Sequence, residues 1–134
     1  MSVPPRRSVL VVDDEEIIRS FLSEVLNEEY DVCLASDGDE AIEHIKRQRF
    51  DLIITDLKMP KVPGEEVVKF ARQHDPRTKV VVISGFSSLY TVSQSISCGA
   101  CAFLSKPFSI RELKQTLSEI VHEQNQEQCE NTGG

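Results

Sequence analysis

The sequence has no cluster of Lys or Arg, although basic side chains are not rare in it. Its 134 residues include 15 Lys or Arg against 22 Asp or Glu, which gives a formal net charge of -7. An acidic chain without concentrated positive charge lacks what binds a phosphate backbone or an anionic lipid surface. The composition therefore argues against nucleic acid and membranes as partners, and the length fits one domain rather than two.

The sequence also has no long apolar run. Residues 80–105 carry no charge, but they are rich in Ser and Thr, whereas a membrane span needs about 20 mainly apolar residues. The apolar stretch near the N-terminus meets Asp13 too early to form the core of a signal peptide. We therefore expect a cytoplasmic protein whose cysteines stay reduced. These cysteines are Cys33, Cys98, Cys101 and Cys129.

Short runs rich in β-branched residues alternate with amphipathic helical patterns along the chain. The predicted strands are 8–12, 31–34, 51–55, 79–83 and 100–104. Two of them are continuously apolar, which is typical of parallel strands that are covered by helices on both faces. This alternation predicts a doubly wound α/β sandwich with right-handed crossovers.

Apolar residues at spacings of three and four predict a helix after each strand, and we expect these residues to be part of the core. In the first helix they are Ile17, Ile18, Phe21, Leu22, Val25 and Leu26, and in the fourth (88–97) they are Leu89, Val92 and Ile96. Asp37 and Ser109 each precede a glutamate by three residues, which predicts capping boxes at the second and fifth helices. We predict one domain over residues 8–122, with a short extension at 1–7 and a polar, disordered tail at 123–134.

Polar side chains follow four of the predicted strands, and the carboxyl ends of parallel strands form the usual binding edge of such a sheet. Asp13 and Asp14 follow the first strand, and Asp56 follows the third. Ser84 follows the fourth strand, and Lys106 comes shortly after the fifth. We expect three carboxylates, a hydroxyl and an ammonium to meet at this edge.

Three neighbouring carboxylates repel one another, and a divalent cation removes that repulsion. An all-oxygen site with few protein ligands suits Mg²⁺. Asp56 could then act as a nucleophile toward a phosphoryl group, with Lys106 as a mobile positive charge and Ser84 as a hydrogen-bond donor.

Five segments, in this order and spacing, resemble the receiver domains of two-component response regulators. They are VLVVDDEE, ASDGDEAI, DLIITDLKMPKVPG, VVISGFS and GACAFLSKPF, and the resemblance spans about residues 8–121. It implies the flavodoxin-like (βα)5 sandwich, whose five-stranded parallel sheet has the order 2-1-3-4-5.

The resemblance also assigns roles to single residues. It implies that Asp56 is the phosphoacceptor, and that Asp13, Asp14, Asp56 and the backbone carbonyl of Lys58 hold Mg²⁺, with Mn²⁺ as a substitute. Lys106 and Ser84 would contact the phosphoryl group. Ser84 and Phe103 would form the switch pair, and the peptide between Lys106 and Pro107 is a candidate for the cis form.

By the same resemblance, the phosphoryl group comes from the phosphohistidine of a sensor histidine kinase or a phosphotransfer protein. The domain would be a signalling module that assists its own phosphorylation and dephosphorylation, rather than an enzyme. We expect an output partner or domain to dock near the fourth and fifth helices. That fourth helix carries no charged residue, which disfavours salt-bridged dimers, so we expect a monomer or a weak dimer.

The sequence argues against three other classes of protein that have a similar fold or site. A flavodoxin-like carrier would not place two acids in its phosphate loop, and a nicotinamide-binding fold would need a glycine-rich turn there. A haloacid-dehalogenase-type phosphatase needs an acid where Lys58 stands. The alternatives that stay open are a receiver-like scaffold that works without phosphorylation and a module of a longer regulator or hybrid kinase. Cys98 and Cys101 have the spacing of a metal half-site, but no second pair accompanies them.

Overall fold

Five parallel strands and five helices alternate in the computed structural model, which describes residues 6–85 and 88–132. The elements are β1 (Arg7–Val12), α1 (Glu16–Leu26), β2 (Tyr30–Ala35), α2 (Gly38–Arg47), β3 (Leu52–Asp56), α3 (Gly64–His74), β4 (Lys79–Ser84), α4 (Leu89–Cys98), β5 (Ala102–Ser105) and α5 (Ile110–Thr132). The sheet order is β2-β1-β3-β4-β5, with every neighbouring pair parallel. The predicted fold class and strand order are confirmed.

The two faces of the sheet carry separate apolar cores, because successive side chains of a strand point to opposite faces. Leu10 and Val12 of β1 pack with α2 and α3, in a cluster that includes Ile45 and Val67. Val9 and Val11 pack on the other face with α1 and α5, in a cluster that includes Leu22 and Leu117. Helices therefore cover both faces and leave the strand ends open at the edges.

Side-chain caps fix the start of three helices. Asp37 accepts a hydrogen bond from the backbone N–H of Glu40 at 2.8 Å, and Ser109 accepts one from the N–H of Glu112 at 3.0 Å. The two predicted caps are confirmed. Ser88 caps α4 in the same way through the N–H of Thr91.

The predicted apolar stripes are wrong at the first turn of α1 and at both the first and last turns of α4. Ile17 is 82% exposed and Leu89 is 88% exposed, and Ile96 is 47% exposed. Both Ile17 and Leu89 lie within the first two residues of their helices. Periodicity predicts the face of the helix on which a side chain lies, but not whether a neighbouring element covers that face at the end of the helix. The only buried residue of α4 is Ser95. This helix therefore packs against the rest of the domain through a small part of its surface.

The predicted domain limits need correction at both ends. Arg7 belongs to β1, where it pairs with Tyr30, whereas residues 1–5 of the predicted extension lie outside the described residues. The tail expected to be disordered from residue 123 continues α5 as far as Thr132. Gln124 explains part of this difference, because it is only 6% exposed and its amide donates to the carbonyl of Asp51 at 3.0 Å. Residues 133–134 of the tail lie outside the described residues.

Candidate phosphoryl and metal site

Four carboxylates meet at the carboxyl edge of the sheet. Asp13 and Asp14 follow β1, and Asp56 ends β3, next to Ile83 of β4 in the register. Oxygen atoms of Asp13, Asp14, Glu15 and Asp56 all lie within 4.8 Å of one another. The structure thus brings together the three acids predicted from the sequence and adds Glu15.

Lys106 places its ammonium among these carboxylates. Its Nζ lies 3.0 Å from Asp56 Oδ2, 3.1 Å from Asp13 Oδ2 and 3.5 Å from Glu15 Oε1. The backbone N–H of Lys106 donates to the carbonyl of Ser84 at 2.8 Å, which fixes the segment after β5 beside the end of β4. The Lys106–Pro107 peptide is cis, as predicted.

Burial and neighbouring charges act in opposite directions on the pKa values of Asp13 and Lys106. Burial raises the pKa of Asp13 above its usual 3.8, although the Glu15 N–H and the Lys106 ammonium oppose the shift. Burial lowers the pKa of Lys106, but hydrogen bonds to Asp56 and Asp13 outweigh it, so the pKa ends above its usual 10.5. Lys106 is therefore firmly cationic, whereas Asp13 holds its negative charge less readily than an exposed aspartate.

Backbone groups orient the carboxylate of Asp56. Its Oδ1 accepts a hydrogen bond from the N–H of Leu57 at 2.7 Å and a longer one from Lys58 at 3.4 Å, while Oδ2 faces Lys106. Asp56 is 7% exposed, so its side chain has little freedom. The loop after it is tight, because the N–H of Gly64 donates to the carbonyl of Leu57 at 2.9 Å. A Cβ atom on Gly64 would lie 2.1 Å from the carbonyl oxygen of Asp56, so only glycine fits there.

Arg19 supports the site from α1, and sequence reasoning missed it together with Glu15. The Arg19 guanidinium donates to the backbone carbonyl of Asp13 at 2.7 Å, which ties α1 to the end of β1. The contact of Arg19 could not be predicted, because every residue has a main-chain carbonyl and the sequence does not show which one a side chain will reach. Glu15 could have been suspected because it directly follows the acidic pair.

Ser84 and Phe103, the predicted switch pair, lie in different surroundings. Ser84 is 1% exposed and lines an open cavity of about 250 Å³ together with Asp56, Lys58 and Lys106. Phe103 lies on β5 opposite Val82, and its half-buried ring packs against the core on the α2 and α3 side of the sheet. The structure therefore places Ser84 at the site, whereas Phe103 lies on the neighbouring strand β5 and does not line the cavity.

The donor set fits a hard divalent cation. All four side chains offer carboxylate oxygens, the cavity is open to water, and Lys58 is among the residues that line it. Mg²⁺ prefers oxygen ligands and keeps several of its waters, so an open acidic pocket with few ligands suits it.

The cysteines lie apart from this edge. Cys33, Cys98 and Cys101 are free thiols, and the side chain of Cys129 lies outside the described residues. The Cys101 thiol donates to the carbonyl of Val80 at 3.2 Å. Among the residues that the structure describes, no metal cluster of three or more ligands other than the acidic one is found, so the spacing of Cys98 and Cys101 marks no such site.

Comparison with known proteins identifies the family. The response regulator receiver domain matches residues 9–118, so this chain belongs to that family. Sporulation initiation phosphotransferase F of Bacillus subtilis is 31% identical over 114 residues, which covers 84% of this chain and 92% of that protein. The response regulator protein PilR of Pseudomonas aeruginosa is 34% identical over 123 residues, which covers 91% of this chain but only 28% of PilR.

Solved structures agree with this assignment. The CheY-like receiver domain protein of Methanospirillum hungatei superposes with a TM-score of 0.88 at 30% identity, covering 92% of this chain and 99% of the other. The receiver domain of a LuxO repressor protein from Vibrio parahaemolyticus gives 0.86 at 30% identity, covering 93% and 97%. Within the described residues, no helix combines the length and apolar character needed to cross a membrane.

Proposed function

We propose that Asp56 accepts a phosphoryl group from the phosphohistidine of a sensor histidine kinase or phosphotransfer protein. The supporting observation is the contact between Asp56 and Lys106 within a ring of acids, at the edge where parallel sheets bind their ligands. One Asp56 carboxylate oxygen forms a bond to phosphorus as the phosphorus–nitrogen bond of the donor breaks. The product is an acyl phosphate on Asp56 and a free histidine on the donor.

The residues around Asp56 have distinct tasks in this proposal. Phosphoryl transfer depends mainly on positioning and on neutralising the phosphoryl oxygens. The Leu57 N–H holds one Asp56 oxygen in place, while Lys106 can turn its ammonium from the carboxylate to the phosphoryl group. Ser84 would donate its hydroxyl to a phosphoryl oxygen.

Asp13, Asp14, Asp56 and the backbone carbonyl of Lys58 would hold Mg²⁺, with Mn²⁺ as a substitute. The metal supplies positive charge that offsets the acids and the phosphoryl oxygens. This requirement follows from the charges of the site, because one ammonium faces several carboxylates there.

We propose further that phosphorylation changes the surface formed by α4, β5 and α5 through Ser84 and Phe103. An acyl phosphate carries about -1.5 to -2 charge in place of -1, which can bias a mobile surface between two states. The exposed apolar residues Leu89, Tyr90 and Ile110 support an output partner or domain docking there. The module would be a cytoplasmic monomer or weak dimer and not an enzyme in its own right.

The chain spans 28% of PilR and 48% of the PhoP regulator of Bacillus subtilis. Because the chain also covers 92% of sporulation initiation phosphotransferase F, the alternative in which it is the receiver module of a longer regulator or hybrid kinase stays open. The protein-glutamate methylesterase/protein-glutamine glutaminase of Nitrosospira multiformis, of which the chain covers 30% at 36% identity, is one example of a longer relative.

Incubation with a small phosphodonor and Mg²⁺, followed by intact-mass measurement, tests the proposal. We expect a species heavier by about 80 Da, the mass of one phosphoryl group, that is absent in Asp56→Asn and when EDTA removes the metal. Asp39→Asn, at an exposed position on α2, is the matched control and should be labelled like the unmodified chain. A chain that stays unlabelled would support the phosphorylation-independent scaffold, and labelling that survives in Asp56→Asn would show that another residue is the phosphoacceptor.

A further inference from the structure

Three ionisable side chains meet between β2 and α2, away from the phosphoryl site. The Sγ atom of Cys33 lies 3.6 Å from His44 Nδ1, and the other ring nitrogen, His44 Nε2, lies 3.7 Å from Glu40 Oε1. Cys33 is half-buried, whereas the side chains of His44 and Glu40 are 31% and 45% exposed. The cluster is therefore enclosed on the thiol side and open to water on the imidazole side.

Glu40 is held in place as an anion. Its Oε2 accepts hydrogen bonds from the Ser36 hydroxyl at 2.9 Å and the Ser36 N–H at 3.3 Å. The hydroxyl contact is the main reason why the pKa of Glu40 lies below its usual 4.5. A fixed carboxylate beside Nε2 favours the imidazole tautomer with the proton on Nε2, which leaves the Nδ1 lone pair directed at the Cys33 thiol.

The separation of the sulfur and the nitrogen matches the spacing of two ligands on one metal ion. With Zn–S of about 2.3 Å and Zn–N of about 2.0 Å, two tetrahedral ligands lie about 3.5 Å apart. Metal-bound histidines almost always give their second N–H to a carboxylate, a backbone carbonyl or water, and the Glu40 carboxylate lies 3.7 Å from His44 Nε2, close enough to take that role after a small shift.

We propose that Cys33 and His44 form a two-residue site for a borderline-soft divalent ion such as Zn²⁺ or Co²⁺, with Glu40 positioning the imidazole and water completing the coordination. Burial raises the pKa of the Cys33 thiol, which favours the protonated sulfur in the metal-free chain. Binding then replaces that proton with the metal, and the proton leaves to solvent.

This site differs chemically from the acidic pocket, because thiolate and imidazole select softer ions than carboxylates do. Its effect would be to join β2, an edge strand, to α2. A metal that binds only the folded chain also stabilises it by mass action. The inference does not depend on phosphorylation of Asp56.

Titration of the full chain with Co²⁺, in a buffer without thiols and with saturating Mg²⁺ to occupy the acidic pocket, tests the proposal. We expect a sulfur-to-cobalt charge-transfer band in the near ultraviolet, with visible bands of tetrahedral strength, and we expect Zn²⁺ to displace both. The bands should disappear in Cys33→Ser and in His44→Gln. In Glu40→Gln the apparent affinity should fall several-fold.

Cys101→Ser is the matched control, because that thiol is engaged with a backbone carbonyl, and it should keep the bands. Absence of a thiolate band in the wild-type chain at millimolar Co²⁺ would overturn the proposal without any variant. A band that persists in Cys33→Ser, with folding checked by circular dichroism, would overturn it as well. In either case the 3.6 Å contact is a thiol–imidazole hydrogen bond and nothing more.

Discussion

The ammonium of Lys106 offsets the negative charge of several carboxylates at once. The Lys106 side chain is 18% exposed, and its ammonium contacts Asp13, Glu15 and Asp56, of which Asp13 is almost fully buried. Opposite charges at this distance, shielded from water, interact more strongly than a surface pair. Without added cation, Lys106 is the positive group that the structure places between the acids at the strand ends.

Replacing Lys106 with alanine should therefore lower the stability of the metal-free protein by about 2 kcal/mol, because the buried Asp13 carboxylate loses its partner. Mg²⁺ should raise the melting temperature of Lys106→Ala more than that of the wild type, since added positive charge replaces the missing ammonium. Thermal unfolding with and without Mg²⁺ measures both effects. Lys114→Ala, at an exposed position on α5, is the control. Equal metal-free stability of Lys106→Ala and the wild type would contradict this account.

At this scale the sequence predicted the residues that stand directly at strand ends. Asp13, Asp56 and Lys106 meet as expected, because parallel strands bring their carboxyl ends to one edge. Glu15 and Arg19 were missed. The contact of Glu15 with Lys106 depends on the conformation of its side chain in a loop, and Arg19 donates to a main-chain carbonyl, that of Asp13. The roles of all these residues in phosphoryl transfer stay predictions.

At the scale of helices, strands and loops, periodicity predicted all ten elements, with strand limits correct to within two residues. It failed where burial depends on the neighbouring element, as at Ile17 and Leu89. The conformation of the loop from α3 to β4 could not be predicted either, because an ion pair with a distant residue helps to hold it. Asp75 in that loop contacts both Arg77, at 3.1 Å, and Arg49, at 3.2 Å.

Asp75→Asn should cost about 1 kcal/mol at neutral pH, because the pairs with the two arginines weaken. Hydrogen bonding to Arg77 is the main reason why the pKa of Asp75 lies below its usual 3.8 in the folded chain. A lowered folded pKa means that the contribution is complete above that usual value and is lost as the pH falls through the folded pKa. Urea unfolding at a series of pH values from neutral to acid should show the difference from wild type shrinking.

Glu24→Gln, at an exposed position on α1, is the control for general acid effects. A difference between Asp75→Asn and the wild type that stays constant down to the lowest pH would rule out the ion pairs as its source.

For the whole molecule, the sequence predicted the architecture but not where the domain ends. The residues after 122 are polar, so no apolar pattern marks them as part of the fold. Polar contacts of Gln124 join the start of this segment to the domain instead. Gln124 receives a hydrogen bond from the Arg7 guanidinium at 2.8 Å and donates one to the carbonyl of Asp51, so α5 is joined to the starts of β1 and β3.

Removing residues 123–134 should lower the free energy of unfolding by about 1 to 2 kcal/mol, because Arg7 and the Asp51 carbonyl each lose their hydrogen bond with Gln124. Removing only residues 127–134 keeps Gln124 and should have little effect. Chemical denaturation of the two shortened chains, each compared with the full chain, measures this. Equal stability of both shortened chains would place the functional end of the domain at residue 122 after all.

Gly64 limits which mutations the protein can accept near the site. A side chain at this position would press on the main-chain atoms of Asp56 and Leu57, and a neighbouring rotamer could not relieve such a clash. Exposed positions such as Ile17 can exchange freely without moving the site. The geometry of the proposed site therefore depends on a residue without a functional side chain, and a substitution at Gly64 should be as damaging as one at Asp56, the proposed phosphoacceptor.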